Sequence, residues 1–96
     1  MKKVKRLKNQ TNLQYANAIS DEFIDQLLKS NVQLIKAIDA EDYETAATIR
    51  DYITTCVESI TEQTALIMDM DSDVLRKHYQ EQNQIVFNRM MQEKNK

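Results

Sequence analysis

The sequence predicts an all-α protein, in which an antiparallel helical hairpin is extended by a third helix with packing like that of a coiled coil. Three observations support this prediction. The 96 residues include no glycine and no proline, the residues that the tight turns of β-hairpins need. Apolar residues recur at intervals of three and four, as they do along one face of a helix. A short acidic turn at 40–42 separates two such stretches, so the helices beside it are expected to run antiparallel.

Charge and length divide the chain into an arm and one helical domain. Residues 1–19 carry five basic side chains and no acidic one, whereas residues 20–75 carry 13 acidic and three basic side chains. Residues 76–96 are basic again. We expect a flexible N-terminal arm over 1–19 and a single domain over 20–96, since the length supports only one domain. An acidic body repels phosphates, so only the arm is suited to nucleic acid.

The first helix is expected at about residues 20–39. Ser20 is a suitable N-cap, and the acidic Asp21 and Glu22 would favour the positive end of the helix dipole. Apolar residues at helical spacing follow: Ile24, Leu27, Leu28, Leu34, Ile35 and Ile38. Residues 9–19 could add a short helix before it, because they also contain spaced apolar side chains.

The second helix is expected at about residues 42–68 and should be the central one. Along it, a line of residues alternates in steps of three and four, which is the spacing of a coiled coil. This heptad seam consists of Tyr43, Ala46, Arg50, Ile53, Val57, Ile60, Thr64 and Ile67. Ile53, Val57 and Ile60 are expected to be buried, and the alanine pair Ala46–Ala47 is expected at the closest approach of the hairpin helices.

The third helix is expected at about residues 72–93, opening at Ser72 or Asp73. Its apolar residues are Leu75, Tyr79, Val86, Phe87 and Met90. Gln82 interrupts their line, so the face that this helix turns to a partner is less well defined than that of the second helix.

Residues 37–53, AIDAEDYETAATIRDYI, resemble the UVR motif, the helical hairpin of the UvrB and UvrC excision-repair proteins and of several bacterial adaptors. The matching positions are Ala37, Glu41, Asp42, Tyr43, Glu44, Ala46, Ala47, Ile49, Arg50, Asp51 and Ile53. In that family the hairpin contacts other proteins, often a second copy of itself, and is not catalytic. Similar acidic turns open tetratricopeptide hairpins, although no second copy recurs here at a fixed spacing.

The chain offers no recognisable catalytic or metal-binding motif. Asp69, Asp71 and Asp73 alternate like the first ligands of a calcium-binding loop, but Val74 and Gln80 replace its required glycine and glutamate. The single histidine has no cysteine or second histidine at the spacing of a zinc site. No glycine is present to form a phosphate-binding loop. We therefore expect no enzymatic activity, cofactor, metal or small-molecule substrate.

The favoured function is a protein–protein interaction or oligomerisation module. The resemblance and the heptad seam together predict the contact residues, namely Tyr43, Ala46, Ala47, Arg50, Ile53, Val57 and Ile60. The second helix has more apolar arc than one neighbour can cover, so a homo-oligomer or a place in a larger complex is expected. An isologous contact through this helix would bring Tyr52, Cys56 and Ser59 near their own copies.

Two alternative functions depend on other features. One is a structural or packaged subunit of a larger assembly, such as a phage virion. The other is a nucleic-acid accessory protein whose arm holds phosphates, or equally an acidic protein surface, through Lys2, Lys3, Lys5, Arg6 and Lys8. The lone cysteine and the lack of an export signal or of an apolar run of roughly 20 residues favour a cytoplasmic location, away from membranes.

Overall fold

The computed structural model describes residues 4–95, which form three helices packed as a bundle. These are α1 (Asn12–Asp39), α2 (Tyr43–Met68) and α3 (Ser72–Lys94). No strand occurs within the described range, so the predicted all-α fold is confirmed. An amide hydrogen bond joins Asn31 of α1 to Asn83 of α3, and an ion pair joins Asp39 to Lys94. Helix α3 therefore runs parallel to α1, and both are antiparallel to α2.

The core is built from one face of each helix. Its buried apolar side chains are Ile19, Phe23, Leu27, Leu34, Ala37, Ala46, Ile53, Cys56, Val57, Ile60, Leu75 and Tyr79. The predicted burial of Ile53, Val57 and Ile60 is confirmed. Most of the exposed face of α3 beyond Tyr79 is polar, which matches the weaker apolar line that its sequence carries.

Helix α1 begins eight residues earlier than predicted, and Ser20 is not its N-cap. Thr11 caps the helix: its hydroxyl accepts a hydrogen bond from the Gln14 amide at 3.1 Å, and the Gln14 side chain accepts one from the Thr11 amide at 2.9 Å. This reciprocal pair is a capping box, whose threonine and glutamine three residues apart are visible in the sequence. Residues 12–19 consequently belong to the helix rather than to a flexible arm, and Ile19 is fully buried.

The segment before α1 folds back along the first turn of the helix. The Tyr15 hydroxyl donates to the Val4 carbonyl at 2.9 Å, and Val4 packs against the core. The Arg6 guanidinium lies 5.5 Å from the centre of the Tyr15 ring and donates to the Gln10 carbonyl at 3.1 Å. The helical domain therefore includes part of the chain that the charge pattern had assigned to the arm.

The predicted tight turn at 40–42 is confirmed and closes as a Schellman motif. The Asp42 amide donates to the Ala37 carbonyl at 2.9 Å, and the Glu41 amide donates to the Ile38 carbonyl at 3.0 Å. Both bonds satisfy carbonyls that the end of a helix leaves without partners. The motif requires a left-handed residue, and Glu41 supplies it with φ of 56°.

The Asp42 side chain then caps the start of α2. Its carboxylate accepts the Thr45 amide at 3.1 Å and the Thr45 hydroxyl at 2.7 Å. These two hydrogen bonds lower the pKa of Asp42, the hydroxyl bond more than the amide bond. A lowered carboxyl pKa means that the ionised form stabilises the fold at neutral pH. That contribution disappears as the pH falls through the lowered pKa.

Within residues 4–95, three positions have a left-handed backbone although the chain has no glycine. They are Asn9, Glu41 and Asp69, with φ of 72°, 56° and 51°. Asparagine and aspartate tolerate this region because their short side chains can hydrogen-bond locally, whereas glutamate has no such advantage. Of these three residues, Glu41 is therefore the one least suited to a left-handed backbone.

We expect the Glu41→Gly variant to be more stable than the natural chain. Removing the Cβ relieves left-handed strain of about 1–2 kcal/mol, and the added flexibility of the unfolded chain offsets part of that gain. The net increase should be roughly 0.5–1 kcal/mol, equivalent to a rise in melting temperature of about 2–8 °C. Thermal unfolding followed by circular dichroism measures it. Ala40→Gly is the control, because Ala40 has φ of −81° and should gain nothing. Equal responses of the two variants would contradict the strain at Glu41.

Candidate interaction surfaces and a three-helix cleft

The seven predicted contact residues do not share one surface. Four lie in the core of the chain itself: Ala46, Ile53, Val57 and Ile60. Tyr43, Ala47 and Arg50 are exposed. No partner can reach the first four without opening the bundle. The predicted close approach of the hairpin helices at both alanines is therefore wrong for Ala47, since successive side chains on a helix point in different directions.

The residues of the predicted self-contact, Tyr52, Cys56 and Ser59, differ in their exposure. Cys56 is 1% exposed, and the Tyr52 hydroxyl donates to the Gln26 side chain of α1 at 2.9 Å. Burial, with a further contribution from Cys56, raises the pKa of Tyr52. Cys56 therefore lies out of reach of a second copy, whereas Tyr52 is 37% exposed and Ser59 is half-buried. A self-contact through Tyr52 and Ser59 stays a prediction.

The basic residues of the arm divide into described and undescribed positions. Lys2 and Lys3 lie outside the described residues. Lys5 and Lys8 are exposed, and Arg6 is held against the first turn of α1 by the contacts given above. All three described basic residues of the arm are therefore exposed.

An apolar surface follows the groove between the outer sides of α1 and α3. It consists of Leu28 and Val32 from α1 with Ile85, Val86 and Met90 from α3, and we call it the α1–α3 surface. Leu28, Val32 and Ile85 are 44%, 40% and 52% exposed. A hollow of about 210 Å³ separates the two helices at Leu28 and Met90. Large apolar side chains therefore face solvent side by side on neighbouring helices.

Charges of both signs border the α1–α3 surface. Arg89 and Glu93, one turn apart on α3, line its hollow. Neither forms an ion pair with another residue in the described range 4–95. On α1, Lys29 pairs with Asp25 at 2.9 Å. The border is therefore neutral in sum, with Arg89 and Glu93 available for charges on another molecule.

A separate cleft of about 350 Å³ opens where all three helices meet, on the other flank of α3. We call it the three-helix cleft, and its lining residues are Asn31, Leu34, Arg50, Ile53, Thr54, Asn83, Gln84 and Phe87. Asn31 is fully buried. Its side-chain amide group donates to the Leu27 carbonyl at 2.8 Å and to the Asn83 side-chain oxygen at 2.9 Å. The Oδ1 atom of Asn31 has no hydrogen-bond partner among the described residues.

Sequence reasoning missed Asn31 and Asn83. The visible signal was that Asn31 falls between Leu27 and Leu34 on the apolar face of α1, where a buried polar residue needs an explanation. On α3, the interruption was located at Gln82, and the neighbouring Asn83 makes the contact with α1. The arrangement depends on two positions 52 residues apart, which no local pattern connects.

Comparison with protein-family models, with curated proteins and with solved structures found no match to this chain. Over residues 4–95, no helix combines the length and the apolar character needed to cross a membrane. In the same range, no three histidine, cysteine, aspartate or glutamate side chains are grouped so that they could hold a metal ion. The α1–α3 surface and the three-helix cleft are the features from which a function can be argued.

Proposed function

We propose that this protein is a non-enzymatic helical interaction module that pairs with a second copy of itself through the α1–α3 surface. The contiguous exposure of Leu28, Val32 and Ile85 is the observation that supports this most strongly. Contiguous apolar patches on a single chain are typical of interaction sites. Pairing would remove this area from water, which is favourable by roughly 25 cal/mol for each Å² of apolar surface buried.

The charges beside the surface favour a second copy as the partner. A closed dimer presents the same patch twice around a two-fold axis, so the patch must be complementary to itself. Arg89 and Glu93 satisfy this condition, because antiparallel α3 helices can set the Arg89 of each chain against the Glu93 of the other. An apolar centre with a charged rim is also the usual anatomy of a protein interface.

The UVR resemblance of residues 37–53 supports the class of function but not the surface. It implies non-catalytic contact with a protein, often a second copy. However, four of the seven contact residues that it and the heptad seam suggested lie in the core. We therefore assign pairing to the α1–α3 surface and leave Tyr43, Ala47 and Arg50 outside the proposed interface.

A charged residue in the apolar centre should prevent pairing. The natural chain is expected to sediment as a dimer at micromolar concentration. The Ile85→Glu variant should dimerise at least about 30-fold more weakly, because an unpaired buried carboxylate costs roughly 2 kcal/mol or more. Analytical ultracentrifugation measures this difference. The matched control is Leu66→Glu, since Leu66 is 86% exposed and lies on α2 away from the surface.

The charged rim allows a second, more specific test of the same dimer. Arg89→Glu should weaken pairing because two acidic side chains would then face the Glu93 residues. Adding Glu93→Arg to that variant should restore it, since the complementarity is recreated with the signs exchanged. A monomeric natural chain, or an Ile85→Glu variant that pairs as well as the Leu66→Glu control, would refute the proposal.

A further inference from the structure

Helix α3 is anchored to the bundle unevenly along its length. Its two buried side chains, Leu75 and Tyr79, both lie near its N-terminal end, and the Tyr79 hydroxyl also bonds Thr64 of α2. Residues 80–94 follow, and every side chain among them is exposed or half-buried. We call residues 80–94 the α3 strap. Segments with few buried contacts open more readily than the core of the same protein.

The sequence of the α3 strap accounts for its weak anchoring. Residues 80–84 read QEQNQ, so five consecutive polar side chains interrupt the apolar face of the helix for more than one turn. Val86 and Phe87 then pack against the core but remain half-buried. Two hollows flank the strap, namely the three-helix cleft of about 350 Å³ and the gap of about 210 Å³ beside Met90. Because packing is incomplete on both sides, burial holds the strap less firmly than it holds the start of α3.

Two polar contacts between side chains join the strap to α1 within residues 4–95. One is the ion pair between Lys94 and Asp39, which is largely exposed, and such pairs contribute little to stability. The other is the hydrogen bond of 2.9 Å between Asn31 and Asn83. A polar side chain in a helical core fixes the register of the helices at a cost in stability.

The cost at Asn31 arises from its burial. The side chain is fully buried, and its Oδ1 atom has no hydrogen-bond partner among the described residues. Release of the strap removes Asn83 from this side chain and opens it to water, which supplies the missing hydrogen bonds. Asn31 therefore sets the position of the strap and also lowers the free energy needed to release it.

We propose that the α3 strap opens as a unit while the rest of the bundle stays folded, and that pairing of two chains holds it closed. The second statement rests on the proposed function, because Ile85, Val86 and Met90 of the α1–α3 surface lie on the strap. An open chain lacks one side of that surface and cannot pair. A partner that binds only the closed form shifts the chain toward that form. The structure of α3 beyond Tyr79 therefore depends on the chain concentration.

Opening of the strap should also unwind it. Helices no longer than roughly 12–15 residues are marginal in water without tertiary packing, and the strap is of that length. Its backbone amides then exchange their hydrogens with solvent. The same step exposes more of Leu34 and Ile53, which are each 5% exposed and line the three-helix cleft together with Phe87 of the strap. The loss of these apolar contacts keeps the open form in the minority.

Hydrogen exchange followed by mass spectrometry tests the proposal on the natural full-length chain at about 0.1 and about 100 micromolar. At the lower concentration, fragments from the strap should exchange at least about 100-fold faster than fragments from residues 53–61 of α2. Overlapping fragments should show one common degree of protection across the strap, because it opens as a unit. At the higher concentration, the strap should exchange at least about tenfold more slowly, because pairing closes it.

The contact between Asn31 and Asn83 allows a matched pair of variants. Asn83→Ala should speed exchange of the strap about fivefold or more, because the buried Asn31 donor loses its acceptor. Gln84→Ala is the control, since the Gln84 side chain donates to Asn88 within α3, and exchange should stay within about twofold of the natural chain. Both substitutions favour the helix, so faster exchange would not come from helix propensity. Equal exchange in the two variants would contradict the role of Asn31.

Two results at the lower concentration would overturn the opening. Exchange of the strap as slow as that of residues 53–61 would show that α3 opens only with the whole bundle. A steady gradient of exchange toward Lys94 would show ordinary fraying of a helix end.

Sedimentation of the same samples separates the strap from the dimer. A chain that is monomeric at both concentrations refutes the proposed dimer and the closing effect, whereas cooperative exchange of its strap would still show the opening. A dimer whose strap exchanges equally fast at both concentrations would overturn the coupling between pairing and closure.

Discussion

Replacing Phe23 by alanine is expected to lower the free energy of unfolding by about 3–5 kcal/mol, the range found for deleting a buried aromatic ring. Phe23 is 1% exposed, and its ring meets the Tyr79 ring edge to face with 5.3 Å between centres. The Tyr79 hydroxyl in turn donates to Thr64 of α2 at 3.1 Å. The substitution therefore removes the α1 member of a contact chain that links all three helices through Tyr79.

Urea unfolding followed by circular dichroism measures this loss. Small domains have a total stability of about 5–15 kcal/mol, so the Phe23→Ala variant should be unfolded or close to unfolding at moderate temperature. Its melting temperature should fall by at least about 12 °C. Natural and variant chains must be compared at one concentration, because pairing would stabilise the folded form.

Leu66→Ala provides the control for this loss. Leu66 is as large an apolar residue as many in the core, but it is 86% exposed. Its truncation should change the stability by no more than about 0.5 kcal/mol. Similar destabilisation by Phe23→Ala and Leu66→Ala would show that the core is not centred on the Phe23–Tyr79 contact.

The boundaries of α2 and α3 were predictable, because strong local signals agree at those points. Asp42 and Asp71 stand immediately before the two helices as N-caps, and the apolar spacing begins at once. At α1, two local signals compete. Ser20 followed by acidic residues looks like a helix start, and so does the capping box that Thr11 opens. The burial of Ile19 favours the earlier start, and burial is a tertiary property that the local sequence does not contain.

The candidate sites were less predictable than the core. Periodicity predicts the inward-facing residues Ile53, Val57 and Ile60, because apolar residues at helical spacing share one face of a helix. Tyr43 and Arg50 belong to the same periodic line and are exposed.

Periodicity does not identify which exposed faces remain uncovered once three helices are packed. Leu28 and Ile85 belong to different helices, and their surface exists only in the folded bundle. Likewise, the sequence alone shows Asn31 only as a polar residue that interrupts an apolar face of α1. The contact with Asn83 that explains it exists only in the folded bundle.

The packing of the hairpin helices can be tested by making the same substitution at Ala46 and at its neighbour Ala47. Ala46 is fully buried, and Ala37 on the facing helix is only 6% exposed. The hydrogen bond from the Asp42 amide to the Ala37 carbonyl draws the two helix ends together. Ala47 is exposed, so a larger side chain there extends into solvent.

The Ala46→Leu variant is expected to lose about 1–3 kcal/mol of stability, because the added carbons must displace a well-packed neighbour. Ala47→Leu should stay within about 0.5 kcal/mol of the natural chain. Both substitutions make the same small change in helix propensity, so the difference between them isolates packing at the hairpin. The midpoints of urea unfolding measure that difference. Equal midpoints for the two variants would mean that the helices are not in close contact at Ala46.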